Sequence, residues 1–132
     1  EITKRHIDGD DEIFQIFERI RDISVNMRLA LLKGDWDTVG GTLAVAFPNR
    51  KRLSPNITTP QMDHLIDIAL DNGAIAAQVC GAGGGGCIAF FCEDGRRGEV
   101  ETALAADERT RILDWRVQSE GLTVRVSETQ FS

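Results

Sequence analysis

Four glycines in succession stand inside the stretch QVCGAGGGGCIAFF, Gln78 to Phe91, between two apolar runs. Glycine weakens regular structure because it surrenders the most backbone freedom on folding. Two kinds of site justify that loss: a tight turn that needs positive φ, or a loop whose bare N–H groups come close to an anion or to other backbone. Read literally, Gly81-Ala82-Gly83-Gly84-Gly85-Gly86 satisfies G-x-G-x-x-G. That dinucleotide fingerprint must open a helix, however, and a β-type run follows here. A P-loop fails as well, since Cys87-Ile88 stands where Lys and Ser or Thr are required. A hairpin turn needs only one or two glycines. The run therefore points to close approach of a phosphate or another loop to the backbone, with a merely permissive turn as the open alternative.

The other reactive side chains form weaker patterns. Cys80, Cys87 and Cys92 are odd in number and lie in or beside apolar runs, which reads as reduced, buried thiols. They do not combine with His6 and His64 into a zinc-ligand spacing. The basic cluster Arg50, Lys51 and Arg52 precedes a helix start, and Arg50 and Lys51 are suited to holding the phosphate of a substrate; the plainer reading is a solvated face. Asp63 and Asp67, four residues apart, read as the polar side of a helix, His64 as exposed, and Trp36 and Trp115 as core anchors.

The elements that must position the glycines follow from periodicity. Ile13, Ile16, Phe17, Ile20, Ile23, Met27 and Leu31 recur at helical spacing, with Asp10, Asp11 and Glu12 at the start and Gly34 at the stop. A second helix is expected from Asp35 to Phe47, weakened by Gly40 and Gly41 and ended by Pro48. NRKRLSPNI reads as a loop; Thr59 as N-cap and Pro60 at the first turn then open a third helix, closed by Asn72-Gly73, with Met62, Leu65, Ile66 and Ala69 inward. AIAAQVC and CIAFFC read as strands on either side of the glycines, the second apolar on both faces as a central strand would be. A short helix, Glu99 to Ala106, and two strands, Ile112 to Val117 and Leu122 to Val126, complete the order. The expected fold is an α+β sandwich, a small antiparallel sheet with helices packed on one face.

At 132 residues and 42% hydrophobic, the chain is the size of one domain with a real core. Its net charge of −6, without a basic stripe, argues against nucleic acid or an anionic membrane as the main partner. No apolar run reaches the roughly 20 residues that span a bilayer, so a cytoplasmic protein is expected. The chain begins at Glu1 without a methionine, which reads as part of a longer protein.

LSPNITTPQMDHLIDIALDNGAIAAQVCGAGGGGCIAFF, Leu53 to Phe91, resembles the C-terminal domain of the GHMP kinases, and in particular the branch that holds bacterial heptose 7-phosphate kinases and related sugar kinases. The glycine run is similar to that family's third motif. The resemblance implies that residues 1–132 form a ferredoxin-like C-terminal domain of an ATP- and Mg2+-dependent sugar or sugar-phosphate kinase. It implies that Gly81, Ala82, Gly83, Gly84, Gly85 and Gly86 line the active site beside an N-terminal ATP-binding domain. Nothing in these residues supplies a general base, a metal site or an adenine pocket, so the domain alone is expected to be inactive, and an uncovered docking face would favour a homodimer. The alternatives from other classes are a freestanding ferredoxin-like regulatory module that binds a small anion, and a pure interaction domain. A phosphate-loop domain upstream of Glu1 distinguishes the kinase from both.

Overall fold

The computed structural model describes residues 2–124, and its elements are set by local chemistry. Helix α1, Ile2–Ile7, was not legible in the sequence. It is held back onto the next helix by an Arg5 Nε–H bond to Asp10 Oδ2 at 2.8 Å and by His6, which stacks on Phe14 and meets Phe17 edge-on. Helix α2, Asp11–Lys33, starts where Asp10 accepts the Ile13 N–H and stops at Gly34 in the left-handed conformation. Its first turns bury Ile13 and Ile16 completely against Leu53. Each such side chain contributes about 1.5–3 kcal/mol. Near its end Ala30, not Leu31, is the buried residue, beside the tight turn into the next helix.

Helix α3, Trp36–Lys51, is capped by Asp35, which accepts both the N–H and the hydroxyl of Thr38. It does not end at Pro48. Proline removes its own N–H bond and crowds the carbonyl four residues back, yet the helix runs on, and on the next residue the Asn49 side-chain amide donates to the Val45 carbonyl at 2.8 Å. The extra turn carries Arg50 and Lys51 on ordered backbone. The buried face of α3 is Val39, Gly40 and Phe47. Trp36 is 61% exposed, which corrects its expected place in the core. It stands one turn before Gly40, and Gly40 already meets Ile75 and Phe91 near one end of the sheet. Helix α4, Pro60–Asp71, is capped by the Thr59 hydroxyl oxygen and buries Met62, Ile66 and Ala69 as its spacing predicts.

Strands β1, Ala74–Val79, and β2, Ile88–Cys92, pair antiparallel with Val79 opposite Ile88 and Ala74 opposite Cys92. An irregularity between Ala74 and Ala76 breaks the alternation and lets the successive Ala76 and Ala77 both be buried. Helix α5, Arg97–Ala105, packs Val100 and Leu104 against Ala69 and Ala74. The main core joins Phe47, Ile57, Met62, Ile66, Ala77 and Val79, and Phe90 links it to the α5 cluster. The result is α+β, a small antiparallel sheet with helices packed against it, as expected.

The expected tail strands are the main correction. Residues 112–117 and 122–124 are without regular structure, and Trp115, Val117, Leu122 and Val124 are mostly exposed. Alternation supplies a strand pattern but not a partner, and β1 and β2 pair only with each other among the described residues. Val126, the expected end of the last strand, lies outside them. For the same reason β2, expected to be buried on both faces, is an edge strand with Ala89 exposed.

Two predictions follow from the packing. A Cβ on Gly40 would lie 2.9 Å from Phe91 Cε1, whereas one on Gly41 meets nothing within 4 Å. Gly40→Ala should therefore destabilise the fold by about 1–2 kcal/mol, overpacking exceeding the helix gain, and Gly41→Ala should stabilise it by up to about 1 kcal/mol; paired denaturant melts check the opposite signs. The second concerns acid. The Ile13 N–H, and then Arg5, hold the Asp10 carboxyl below its ordinary value, and the Thr38 N–H and hydroxyl do the same for Asp35. Because both are lower when folded, their contribution is fully present above the unfolded value of about 3.9 and is lost progressively as pH falls below it and through the lower folded values. Melting temperature should fall below about pH 4, and Asp10→Asn with Asp35→Asn, which retain a cap but do not titrate, should flatten that fall.

Candidate functional site

The glycine run occupies the turn between β1 and β2, residues 80–87, and the Cys80 N–H closes it onto the Cys87 carbonyl at 2.9 Å. It is held from below by the connection between α3 and α4. The Gly84 N–H donates to the Ile57 carbonyl at 3.1 Å. A Cβ on Gly83 would stand 2.7 Å from that same oxygen and 2.9 Å from Ile57 Cα, and Gly83 has a φ of 96°. Only glycine satisfies both the contact and the angle. Part of the run thus serves docking of one loop on another. On the open side, a Cβ on Gly81, Gly85 or Gly86 would meet nothing within 4 Å. Among the described residues no hydrogen bond takes the N–H groups of Ala82, Gly83, Gly85 or Gly86. Unpaired N–H donors on a loop free of side chains are what an anion requires.

The basic cluster divides. Arg50, on the last turn of α3, sends Nη1 to the Val79 carbonyl at 2.6 Å and Nη2 to the Gly81 carbonyl, gripping the first limb of the loop. Lys51 instead turns to Asp63, Nζ to Oδ1 at 2.7 Å, and Arg52 pairs with Glu12 at 3.2 Å. Of the two residues expected to reach a substrate phosphate, Arg50 lies at the loop and Lys51 beside α4. Asp63 is held below the usual carboxylate range chiefly by Lys51 and further by the Thr58 hydroxyl, which donates to its other oxygen; burial opposes both only in part. Asp67 is exposed and takes no part in that network, so the two aspartates do not act as an acid pair.

His64 is exposed, as expected. The cysteines are free, but Cys80 and Cys87 are exposed rather than buried, because they flank the loop where the ladder opens. Cys92 is half-buried, and burial pushes its thiol up. Among the described residues no three His, Cys, Asp or Glu side chains converge as metal ligands would. The arrangement offers neutral donors and one guanidinium near an open loop, which suits orientation of a phosphate rather than proton transfer or metal binding.

Sequence reasoning missed the part played by Ile57. It lies in a segment rich in proline, asparagine and serine and reads as plain loop. The available signal was a lone β-branched apolar residue in a polar connection, which marks an inward anchor.

Residues 27–109 match the family described as GHMP kinases C terminal. The chain is 25% identical over 114 residues, 86% of its length, to a D-glycero-alpha-D-manno-heptose 7-phosphate kinase of Campylobacter jejuni. It is 35% identical over 68 residues, 52% of its length, to a mevalonate kinase of Pyrococcus abyssi. The matched stretch makes up 33% of the first relative and 20% of the second, so the chain spans a third or less of the length of these proteins. With more than half its residues inside the family match, this chain belongs to the GHMP kinases, as a C-terminal domain of that family.

Proposed function

We propose that this domain is the C-terminal part of an ATP-dependent kinase that transfers a phosphoryl group to a hydroxyl of a sugar or sugar phosphate. In this reading the glycine loop lines the site beside an N-terminal ATP-binding domain. The observation that carries it is a loop whose N–H groups are largely without partners among the described residues and whose Gly81, Gly85 and Gly86 are open, paired with a rigid support at Ile57. Catalysis of phosphoryl transfer is mostly positioning and charge stabilisation, and a loop anchored on one side and bare on the other supplies the first directly. The Campylobacter relative, with the larger share of this chain aligned, is named for a heptose phosphate, and that supports a sugar phosphate over other alcohols as acceptor.

In this reading ATP would meet the loop through its phosphates, and the N–H groups of Ala82, Gly83, Gly85 and Gly86, without partners among the described residues, would be the donors. Mg2+ bound to ATP would neutralise phosphate charge; among the described residues no three His, Cys, Asp or Glu side chains converge as ligands for it. The residues of this domain do the orienting: N–H groups that do not move need no reorganisation when charge shifts in the transition state. The freestanding regulatory reading rests on the same loop, but it leaves unexplained the similarity to kinases over 86% of the chain.

The test is a full-length protein bearing this domain, assayed for ADP release from ATP with a panel of sugars and sugar phosphates that includes heptose 7-phosphate. Turnover is expected with at least one, and residues 1–132 alone should show none. Gly86→Ala places a methyl group on the open side at a φ of 91°. Strain should cost about 1–2 kcal/mol of stability, while kcat/KM per folded molecule should drop on the order of a hundredfold, as for a misplaced positioning group. A lowered melting temperature with unchanged kinetics would reject the active-site role of the loop.

A further inference from the structure

Arg50 was expected, with Lys51, to touch a substrate phosphate directly, but its geometry assigns it other work. Its two terminal nitrogens are both taken by backbone carbonyls, those of Val79 and Gly81, two residues apart on the limb leading into the glycine loop. A guanidinium presents its donors in a rigid plane, so bonding two carbonyls with one fork fixes the relation between the peptides that carry them. In a trans peptide the C=O and N–H point in opposite directions, and the chain contains no cis bond among the described residues. Holding the Val79 carbonyl therefore aims the Cys80 N–H away from Arg50, and that N–H closes the ladder onto Cys87. Holding the Gly81 carbonyl aims the Ala82 N–H away in the same manner, and this donor has no partner among the described residues.

Its charge also differs from that of its neighbours. Lys51 is neutralised by Asp63 and Arg52 by Glu12, whereas Arg50 bonds only neutral carbonyls. Among the described residues no carboxylate pairs with it beside the loop.

We propose that Arg50 is a positioning residue for phosphoryl transfer: it clamps the Val79 and Gly81 carbonyls and so points the Ala82 N–H at the nucleotide phosphates. The inference rests on the loop's being a phosphate site. It differs from a direct contact in that the planar two-pronged grip, rather than the charge alone, is what the reaction needs. Lysine retains the charge but cannot hold both carbonyls in one plane.

The test uses the full-length protein with ATP and the acceptor that gives turnover in the panel, comparing wild type, Arg50→Lys, Arg50→Met and Gly86→Ala. For both Arg50 variants kcat should fall at least tenfold with KM for the acceptor within about twofold, and amide exchange across residues 79–88 should quicken while exchange in α2 does not change. If Arg50→Met is too unstable to assay, Arg50→Lys carries the same readouts. Full activity of Arg50→Lys would overturn the clamp, because charge alone would then suffice. Loss of activity in Gly86→Ala with wild-type kcat or unchanged exchange in the Arg50 variants would overturn the role of Arg50 and leave the loop reading standing. Wild-type kcat in Gly86→Ala, or no turnover with any acceptor, would defeat the loop reading and this inference together.

Discussion

The domain's functional geometry depends on one residue seated in the core and its carbonyl. Ile57 packs its side chain with Phe47, Met62, Ile66 and Val79, while its carbonyl takes the Gly84 N–H and its backbone lies hard against Gly83. A loop with so little side-chain surface cannot bury itself, since it has almost nothing apolar to remove from water. It borrows rigidity from a segment that can. That segment is pinned at two points: Leu53, buried with Ile13 and Ile16 under α2, and Ile57, buried in the main core. Between these anchors Ser54 accepts the Asn56 N–H and keeps the short connection closed. Two of the three hydrophobic clusters thus converge on the four-residue step from 53 to 57, and the glycine loop rests on it.

The passage of α3 through Pro48 belongs to the same arrangement. Had the helix stopped at Phe47, as a proline suggests, Arg50 would lie on irregular chain with nothing to fix its reach. The continued turn, supported by Asn49 on Val45, presents Arg50 to one limb of the loop and Lys51 to Asp63 on α4. Asp63 in turn receives the Thr58 hydroxyl, one residue after Ile57. The connection is therefore tied to α4 by polar contacts at its far end as well as by the core beneath it.

Much of this could be read in advance where a local rule decides. The caps at Asp10, Gly34 and Thr59, the inward face of α4 and the strand–glycine–strand order all follow from side-chain chemistry acting within a few residues. What failed was decided at long range. Alternation in residues 112–117 is the same whether or not a neighbouring strand is present to receive it. Trp36 has the composition of a core residue, but its exposure is set by where the sheet ends. Cys80 and Cys87 sit in apolar company along the sequence, yet the opening of the hairpin places them in solvent. In the candidate site, the glycines were identifiable from their number alone. The division between docking glycines and open ones was not, because it depends on Ile57, distant in sequence from the run and unmarked in its own segment.

The remaining question is how an acidic domain could serve the phosphate site proposed for its glycine loop. A net charge of −6 raises an unfavourable background field, but that field is screened over about 8–10 Å at ordinary salt. Local groups dominate at contact distance. Arg50 carries a full charge that no carboxylate among the described residues neutralises, and the carbonyls it binds lie with their negative ends toward it. The Cys80 N–H on the far side of the first peptide closes the ladder onto Cys87, whereas the Ala82 N–H on the far side of the second has no partner among the described residues. In the proposed site the Ala82 N–H and the guanidinium would therefore act on a phosphate with the same sign. Lys51 and Arg52 are paired internally with Asp63 and Glu12, which leaves fewer free cations to compete with the proposed site. The field that an incoming anion meets is thus narrow, and it is centred on backbone donors whose position the core has already fixed.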